Sequence, residues 1–107
     1  DNKQIKGTIP ILDIQYGNIW TNIPSSLFKQ LNIKTGELLH VIIFHNKQKV
    51  YEADMPYAET FGAVAKGKPL AYLNSLLQVS FALNMGNFSA THHVYSGNEW
   101  TTAISKK

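Results

Sequence analysis

Short β-branched runs recur along this chain about every 8–12 residues, separated by turns rich in glycine and asparagine. That rhythm constrains the fold more than any other feature. "GTIPILDIQ" alternates like a strand, with Pro10 marking an edge or a bulge because proline donates no ladder hydrogen bond. "YGN" is turn chemistry, since Gly17 and Asn18 both tolerate positive φ, and "IWTNI" is the short return strand. "ELLHVIIFHN" is the strongest strand, and "QKVYEADM" returns from it. "PLAYLNS" and "QVSFALN" make a further strand pair, and "EWTTAISK" a last strand with period two. One short helix is expected over "PSSLFKQLN", where Leu27, Phe28 and Leu31 share a face. "GNFSATHH" has no clear assignment. The pattern predicts an all-β fold, a barrel or a sandwich, with one short helix; a mainly antiparallel, Greek-key-like β-barrel over residues 7–107 is the expectation adopted. Residues 1–6 are polar and are expected to form a linker or frayed end.

The chain has 107 residues, enough for one domain and one modest core. It has no cysteine, which excludes disulfides and thiolate metal sites and fits a reducing cytoplasm. No apolar run approaches the ~20 residues of a membrane-spanning helix. Its first residue is Asp1, not methionine, which fits a piece of a longer protein. Net charge is +3, from ten lysines and seven acids, without arginine. The lysines are scattered and do not interleave with aromatics, so neither nucleic acid nor a membrane is expected as a partner.

Catalytic and metal motifs are poorly represented. His40 and His45 lie on one strand at odd spacing, so they leave opposite faces of the sheet. His92 and His93 are adjacent and lack the helical spacing of a metal pair. There is no G-x-S-x-G elbow, phosphate loop or dinucleotide fingerprint. No metal, cofactor or complete active site is expected.

Binding chemistry is better represented. "LDIQYGNIWTNIP" crowds an aspartate, two asparagines and two large rings around one turn. An Asn amide offers a donor and an acceptor on one plane, which suits the edge of a purine, and aromatic rings offer stacking faces. Asn18 stands between Tyr16 and Trp20, so on an extended chain all three share a side, and Asn22 shares their parity. On these residues alone, a packed hairpin and one wall of a purine pocket both stay open, the packed hairpin being the simpler. Asp13 on an apolar strand needs a partner, water or an ammonium group.

The same stretch resembles the opening of the C-terminal domain of the S-adenosylmethionine (SAM) hydroxide adenosyltransferase family, whose pattern is Asp-x-x-Phe-Gly-Asn-x-x-Thr-Asn-Ile. Here it is met by Asp13, Tyr16, Gly17, Asn18, Thr21, Asn22 and Ile23, with Tyr16 in place of Phe. "GELLHV", "ETFGAVAKGKPLAYLNS" and "FALNMGNFSA" continue the resemblance in order along the chain.

The resemblance implies a C-terminal β-barrel domain of a two-domain homotrimeric enzyme. It also implies a nucleotide site shared with the N-terminal domain of a neighbouring subunit. SAM or adenosine would be the ligand, SAM as substrate and not as cofactor. Carried over by position, Asp13 would meet the methionine amine and Asn18 the nucleoside. Tyr16, Trp20 and Phe61 would wall the adenine, and Ser75 would touch the amino-acid end. Backbone groups around Asn84 and Met85 would read the adenine edge. Trp20 is the residue the family's halogenases carry, but their carboxylate-gripping arginine is Leu76 here. Leucine cannot replace a bidentate cation. The balance points to a SAM hydrolase, with a fluorinase- or chlorinase-like halogenase, or a non-catalytic SAM- or adenosine-binding module, as the alternatives. The residues that handle the water in this family belong to the N-terminal domain, so no catalytic residue is expected here and the isolated domain should not turn over. Tyr72 and Phe81 are expected in the core, and Asn22 and Asn74 as turn caps.

Overall fold

The computed structural model describes residues 3–107, and eight antiparallel strands organise them into two four-stranded sheets. The first sheet has the order β1-β8-β4-β5, built from β1 (Gln4–Ile9), β8 (Gly97–Lys106), β4 (Leu38–His45) and β5 (Gln48–Pro56). The second has the order β2-β3-β7-β6, built from β2 (Ile11–Asp13), β3 (Asn18–Pro24), β7 (Gln78–Leu83) and β6 (Pro69–Leu73). The chain crosses from one sheet to the other at Pro10, where the missing N–H ends one ladder and lets the next begin. Both strands flanking Pro10 are edge strands, and the β1–β8 register slips between Thr8 and Ile9.

The all-β, antiparallel expectation stands, but the barrel does not close. The two sheets face each other as a sandwich. At one edge the link is Pro10 itself, helped by the Thr8 N–H donating to the Asn22 Oδ1 at 2.8 Å. At the other it is a single parallel bridge between Tyr57 and Ala71, with the Ala58 N–H donating to the Ala71 carbonyl at 2.9 Å. One bridge and one side-chain bond cannot carry a continuous ladder around the molecule. Asn22 and Asn74 do serve the backbone, as expected, though Asn22 fastens two sheets instead of capping a turn.

The inner faces supply the core. Ile9, Ile19, Leu39, Ile43, Phe81 and Ile104 are fully buried between the sheets, each side chain worth about 1.5–3 kcal/mol of burial. The β3–β7 register breaks between Trp20 and Pro24. There the buried Thr21 hydroxyl donates to the Val79 carbonyl at 2.6 Å and accepts from the Ile23 N–H at 3.1 Å, replacing the lost ladder bonds.

The expected helix appears as α1 (Ser25–Phe28), continued by a 3-10 turn over Lys29–Leu31. A second single-turn helix, α2 (Phe88–His92), occupies the stretch without a sequence assignment. Asn87 caps it by accepting from the Ala90 N–H at 2.8 Å, and Phe88 plugs the open end of the sandwich against Tyr51 and Phe81. Of the expected linker over residues 1–6, the first two lie outside the described residues. Gln4, Ile5 and Lys6 instead pair with Ser105, Ile104 and Ala103 in β1, because Ile5 is buried in the core.

Candidate functional site

The β2–β3 hairpin is tight. Asp13 and Asn18 are its last cross-strand pair, and the Gly17 N–H closes the turn on the Asp13 carbonyl at 2.6 Å. Gly17 has φ +72°, and a Cβ there would meet the Asn87 Oδ1 at 1.9 Å. The Ser89 N–H also donates to the Gly17 carbonyl at 3.0 Å. The turn is therefore held against the N-terminus of α2 by a contact that only glycine permits.

This junction frames an open cleft of about 820 Å³. One wall is the hairpin, with Asp13, Tyr16 and Asn18; the other is the turn after β7, with Asn84, Met85 and Asn87; Phe61 closes the side. Six of the nine expected site residues thus meet in one cleft: Asp13, Tyr16, Asn18, Phe61, Asn84 and Met85. Asn18 is buried, and its Nδ2 donates to the Asp13 Oδ2 at 3.3 Å. Phe61 packs edge-on to Tyr72, ring centres 5.2 Å apart. Tyr16 and Met85 are exposed at the rim, 58% and 77%.

Asn84 does structural work as well as lining the cleft. Its side-chain amide donates to the Val64 carbonyl at 2.9 Å, its N–H to the Lys68 carbonyl at 3.0 Å, and its own carbonyl accepts from the Gly67 N–H at 2.7 Å. Both backbone groups of Asn84 are already committed. Met85, left-handed at φ +57°, has its N–H and carbonyl free of backbone partners among the described residues.

Trp20, Ser75 and Leu76 stand outside the cleft. Trp20 leaves the outer face of the second sheet, level with Ser80 and Tyr72. Ser75 and Leu76 are exposed in the β6–β7 turn, at the opposite end of those strands from the cleft. Asn74 shapes that turn: its Oδ1 accepts from the Leu76 N–H at 2.8 Å and its Nδ2 donates to the Ser80 Oγ at 2.8 Å. Phe81 is in the core as expected. Tyr72 is only half-buried, on the outer face and not in the main core. Burial pushes the Tyr72 hydroxyl's pKa up, against the opposing pull of Trp20, Asn18 and Ser80 beside it.

Two buried polar atoms beside the cleft, the Asn18 Oδ1 and the Trp20 Nε1, have no hydrogen-bond partner. Each such loss costs about 1–3 kcal/mol, so the cluster is not optimised for stability alone. Asn87 and Gln15 also line the cleft and were not anticipated. For Asn87 a signal was present: an asparagine immediately before a short apolar segment is N-cap chemistry. Among the described residues no group of three or more His, Asp or Glu side chains is arranged to hold a metal. His45 stacks on Trp100 at 4.2 Å, and His92 packs against Tyr51 and Phe88. No helix among the described residues is long and apolar enough to cross a membrane.

Fold and cleft together define the class: a small all-β domain with an open pocket at one end, lined by an acid, an amide and exposed rings. Residues 7–101 match the family model of the SAM hydroxide adenosyltransferase C-terminal domain, and the chain belongs to that family. A fluorinase from Actinopolyspora mzabensis is 24% identical over 94 residues, covering 87% of this chain and 30% of that protein. An uncharacterized conserved protein from Thermotoga maritima superposes with a TM-score of 0.84 at 27% identity, over 99% of this chain and 37% of that one. A conserved hypothetical protein from Thermus thermophilus, at 22% identity and a TM-score of 0.60, shares the fold over 95% of this chain and 34% of its own. The chain thus spans about a third of the length of these relatives.

Proposed function

We propose that this chain is the C-terminal, nucleoside-binding domain of a SAM hydrolase. In that reaction water attacks C5′ of SAM, the C5′–sulfur bond breaks, and adenosine, methionine and a proton leave. The observation that carries the reading is the Asp13–Asn18 pair at the cleft: a carboxylate suited to an ammonium group, bonded at 3.3 Å to an amide suited to a nucleoside. Tyr16 and Phe61 supply stacking surface, and the free backbone of Met85 supplies a donor and an acceptor for a base edge. The roles of Trp20 beside the base and of Ser75 at the methionine end rest on the family resemblance alone. The chemical step belongs to the N-terminal domain of a neighbouring subunit in a homotrimer, which also closes the open side of the cleft. Alone, this domain binds without turnover.

On the family resemblance alone, Leu76 favours the hydrolase, since the halogenases carry an arginine there and leucine brings no cation to a methionine carboxylate. Trp20 and the fluorinase relative support halogenation as the second reading. The test is product analysis of the longer protein incubated with SAM, with and without chloride or fluoride. Adenosine and methionine as the only products support the hydrolase. A 5′-halo-5′-deoxyadenosine assigns the halogenase. Adenosine binding without any SAM cleavage leaves a non-catalytic binding module.

A further inference from the structure

Phe61 reaches the cleft from the long connection between β5 and β6, residues 57–68. The connection is tied to the second sheet at both ends and nowhere between. At its start Tyr57 bridges Ala71, and the Ala58 N–H donates to the Ala71 carbonyl at 2.9 Å. Towards its end the ties all run to Asn84: the Gly67 N–H donates to the Asn84 carbonyl at 2.7 Å, the Asn84 N–H to the Lys68 carbonyl at 3.0 Å, and the Asn84 Nδ2 to the Val64 carbonyl at 2.9 Å. Glu59, Thr60, Phe61, Gly62 and Ala63 are all exposed. The 3-10 turn over Phe61–Ala63 is held by two long bonds of its own, Ala63 N–H to the Thr60 carbonyl at 3.3 Å and Val64 N–H to the Phe61 carbonyl at 3.4 Å. Gly62 stands in open space, with nothing within 4 Å of where a Cβ would be. A segment this sparsely bonded takes its position from its roots. The backbone ties of Asn84 act at residues 67 and 68, and only its side chain reaches Val64, where the turn carrying Phe61 ends.

We propose that Asn84 is a positioning residue for the nucleoside cleft: by holding the Val64 carbonyl, its side-chain amide sets where the Phe61 ring stands, and it acts on a bound base through that ring. Its N–H, its carbonyl and one amide hydrogen are all committed to the connection. On the other side the Phe61 ring leans edge-on against Tyr72, so the amide bond and that contact together aim its face at the cleft. The clamp stands on the hydrogen bonds of the connection; its consequence for ligands rests on the nucleoside reading above.

Asn84→Asp keeps the side chain's shape and both backbone ties, and replaces only the donating end by an oxygen that repels the Val64 carbonyl. Lys66 is exposed and lies between the Val64 tie and the Gly67 tie. Trypsin cleavage after Lys66, followed by mass spectrometry, therefore reads the clamp without any ligand, and is expected to be faster in the variant. Adenosine affinity is expected to fall about 5–10-fold, the cost of one lost hydrogen bond. A double-mutant cycle with Phe61→Ala separates positioning from direct contact. In the Phe61→Ala background Asn84→Asp is expected to cost no further affinity. An equal loss in both backgrounds overturns the proposal, because Asn84 then meets the ligand by itself, and so does an unchanged affinity in the single variant. Unchanged cleavage at Lys66 overturns the clamp. Faster cleavage in a chain whose wild type does not bind adenosine keeps the clamp and removes the nucleoside reading. Should Asn84→Asp fail to fold, the wild type decides: a nuclear Overhauser contact between the Asn84 side-chain amide protons and the Ala65 amide proton is expected, and its absence overturns the clamp.

Discussion

At the scale of the residue, Asn18 combines burial with an incomplete set of hydrogen bonds, which is costly in a free protein and useful in a ligand site. Asn18→Ala removes the amide while leaving Asp13 and the rings in place. Adenosine binding, measured by titration calorimetry on the longer protein, is expected to weaken by about 1–3 kcal/mol. Unchanged affinity in a folded variant would remove Asn18 from the site. Gly17 acts on the scaffold instead. A non-glycine residue at φ +72° costs about 1–2 kcal/mol. Any Cβ also displaces Asn87, which caps α2. Gly17→Ala is therefore expected to lose more than about 1–2 kcal/mol in urea unfolding and to expose the amides of α2 to faster hydrogen exchange. A loss confined to a few tenths of a kcal/mol would show that the turn and the helix are not coupled.

At the scale of the element, the β4–β5 hairpin carries its own charge network. The His40 Nδ1 lies 2.6 Å from the Asp54 Oδ1 and its Nε2 lies 2.7 Å from the Glu52 Oε2. Lys107 pairs with Asp54 at 2.8 Å and Lys49 with Glu52 at 2.6 Å. The bond to Asp54, then that to Glu52, raises the His40 pKa above its ordinary 6.5. Its stabilisation is therefore full below that value and fades as pH rises through the raised one. Asp54 is held low by Lys107 and then His40, Glu52 by Lys49 and then His40. Their shares are present above the ordinary carboxylate range and are lost as pH falls through the lowered values. His92 has the opposite sign: burial, then His93, lowers its pKa, so its share is lost as pH falls below 6.5. The wild-type Tm minus that of His40→Gln should be largest near about pH 5.5 and shrink towards about pH 9, whereas the difference for His92→Gln should fall on acidification. A flat His40 difference across that range would mean the imidazole is not held as a cation. None of this was legible beforehand, because the partners lie on the returning strand. The strands themselves were legible, since alternation is a local property. The failure to close was not: the open edges are linked only by the Thr8 N–H donating to the Asn22 Oδ1 and by the Tyr57–Ala71 bridge. Nor was the placement of α2, whose cap Asn87 had a local signal but sits against Gly17, far away in the chain. The cleft followed the same division. Asp13, Tyr16 and Asn18 converge because one hairpin carries them, whereas Ser75 and Leu76 lie in a turn that antiparallel geometry sends to the other end.

At the scale of the whole molecule, the cleft has walls but no lid, and its neighbourhood is apolar. Tyr16 and Met85 are exposed at its rim, and Ile14, in the turn of the hairpin that forms one wall, is 93% exposed although it does not line the cleft itself. Ile14 contributes nothing to the core of this domain. Ile14→Ser should therefore leave the unfolding free energy of the chain within about 0.5 kcal/mol. If a neighbouring subunit closes the cleft, as proposed, the same side chain is buried on assembly, and burying an isoleucine is worth about 1.5–3 kcal/mol. In the longer protein, adenosine affinity should then fall about tenfold or more, and sedimentation should show a larger share of dissociated subunits. The affinity of the isolated domain should not change, because its Ile14 faces water with or without ligand. Equal affinities for the wild type and Ile14→Ser in the longer protein would mean that the hairpin tip stays in solvent and that the lid comes from elsewhere. A loss already present in the isolated domain would instead make Ile14 part of the ligand wall.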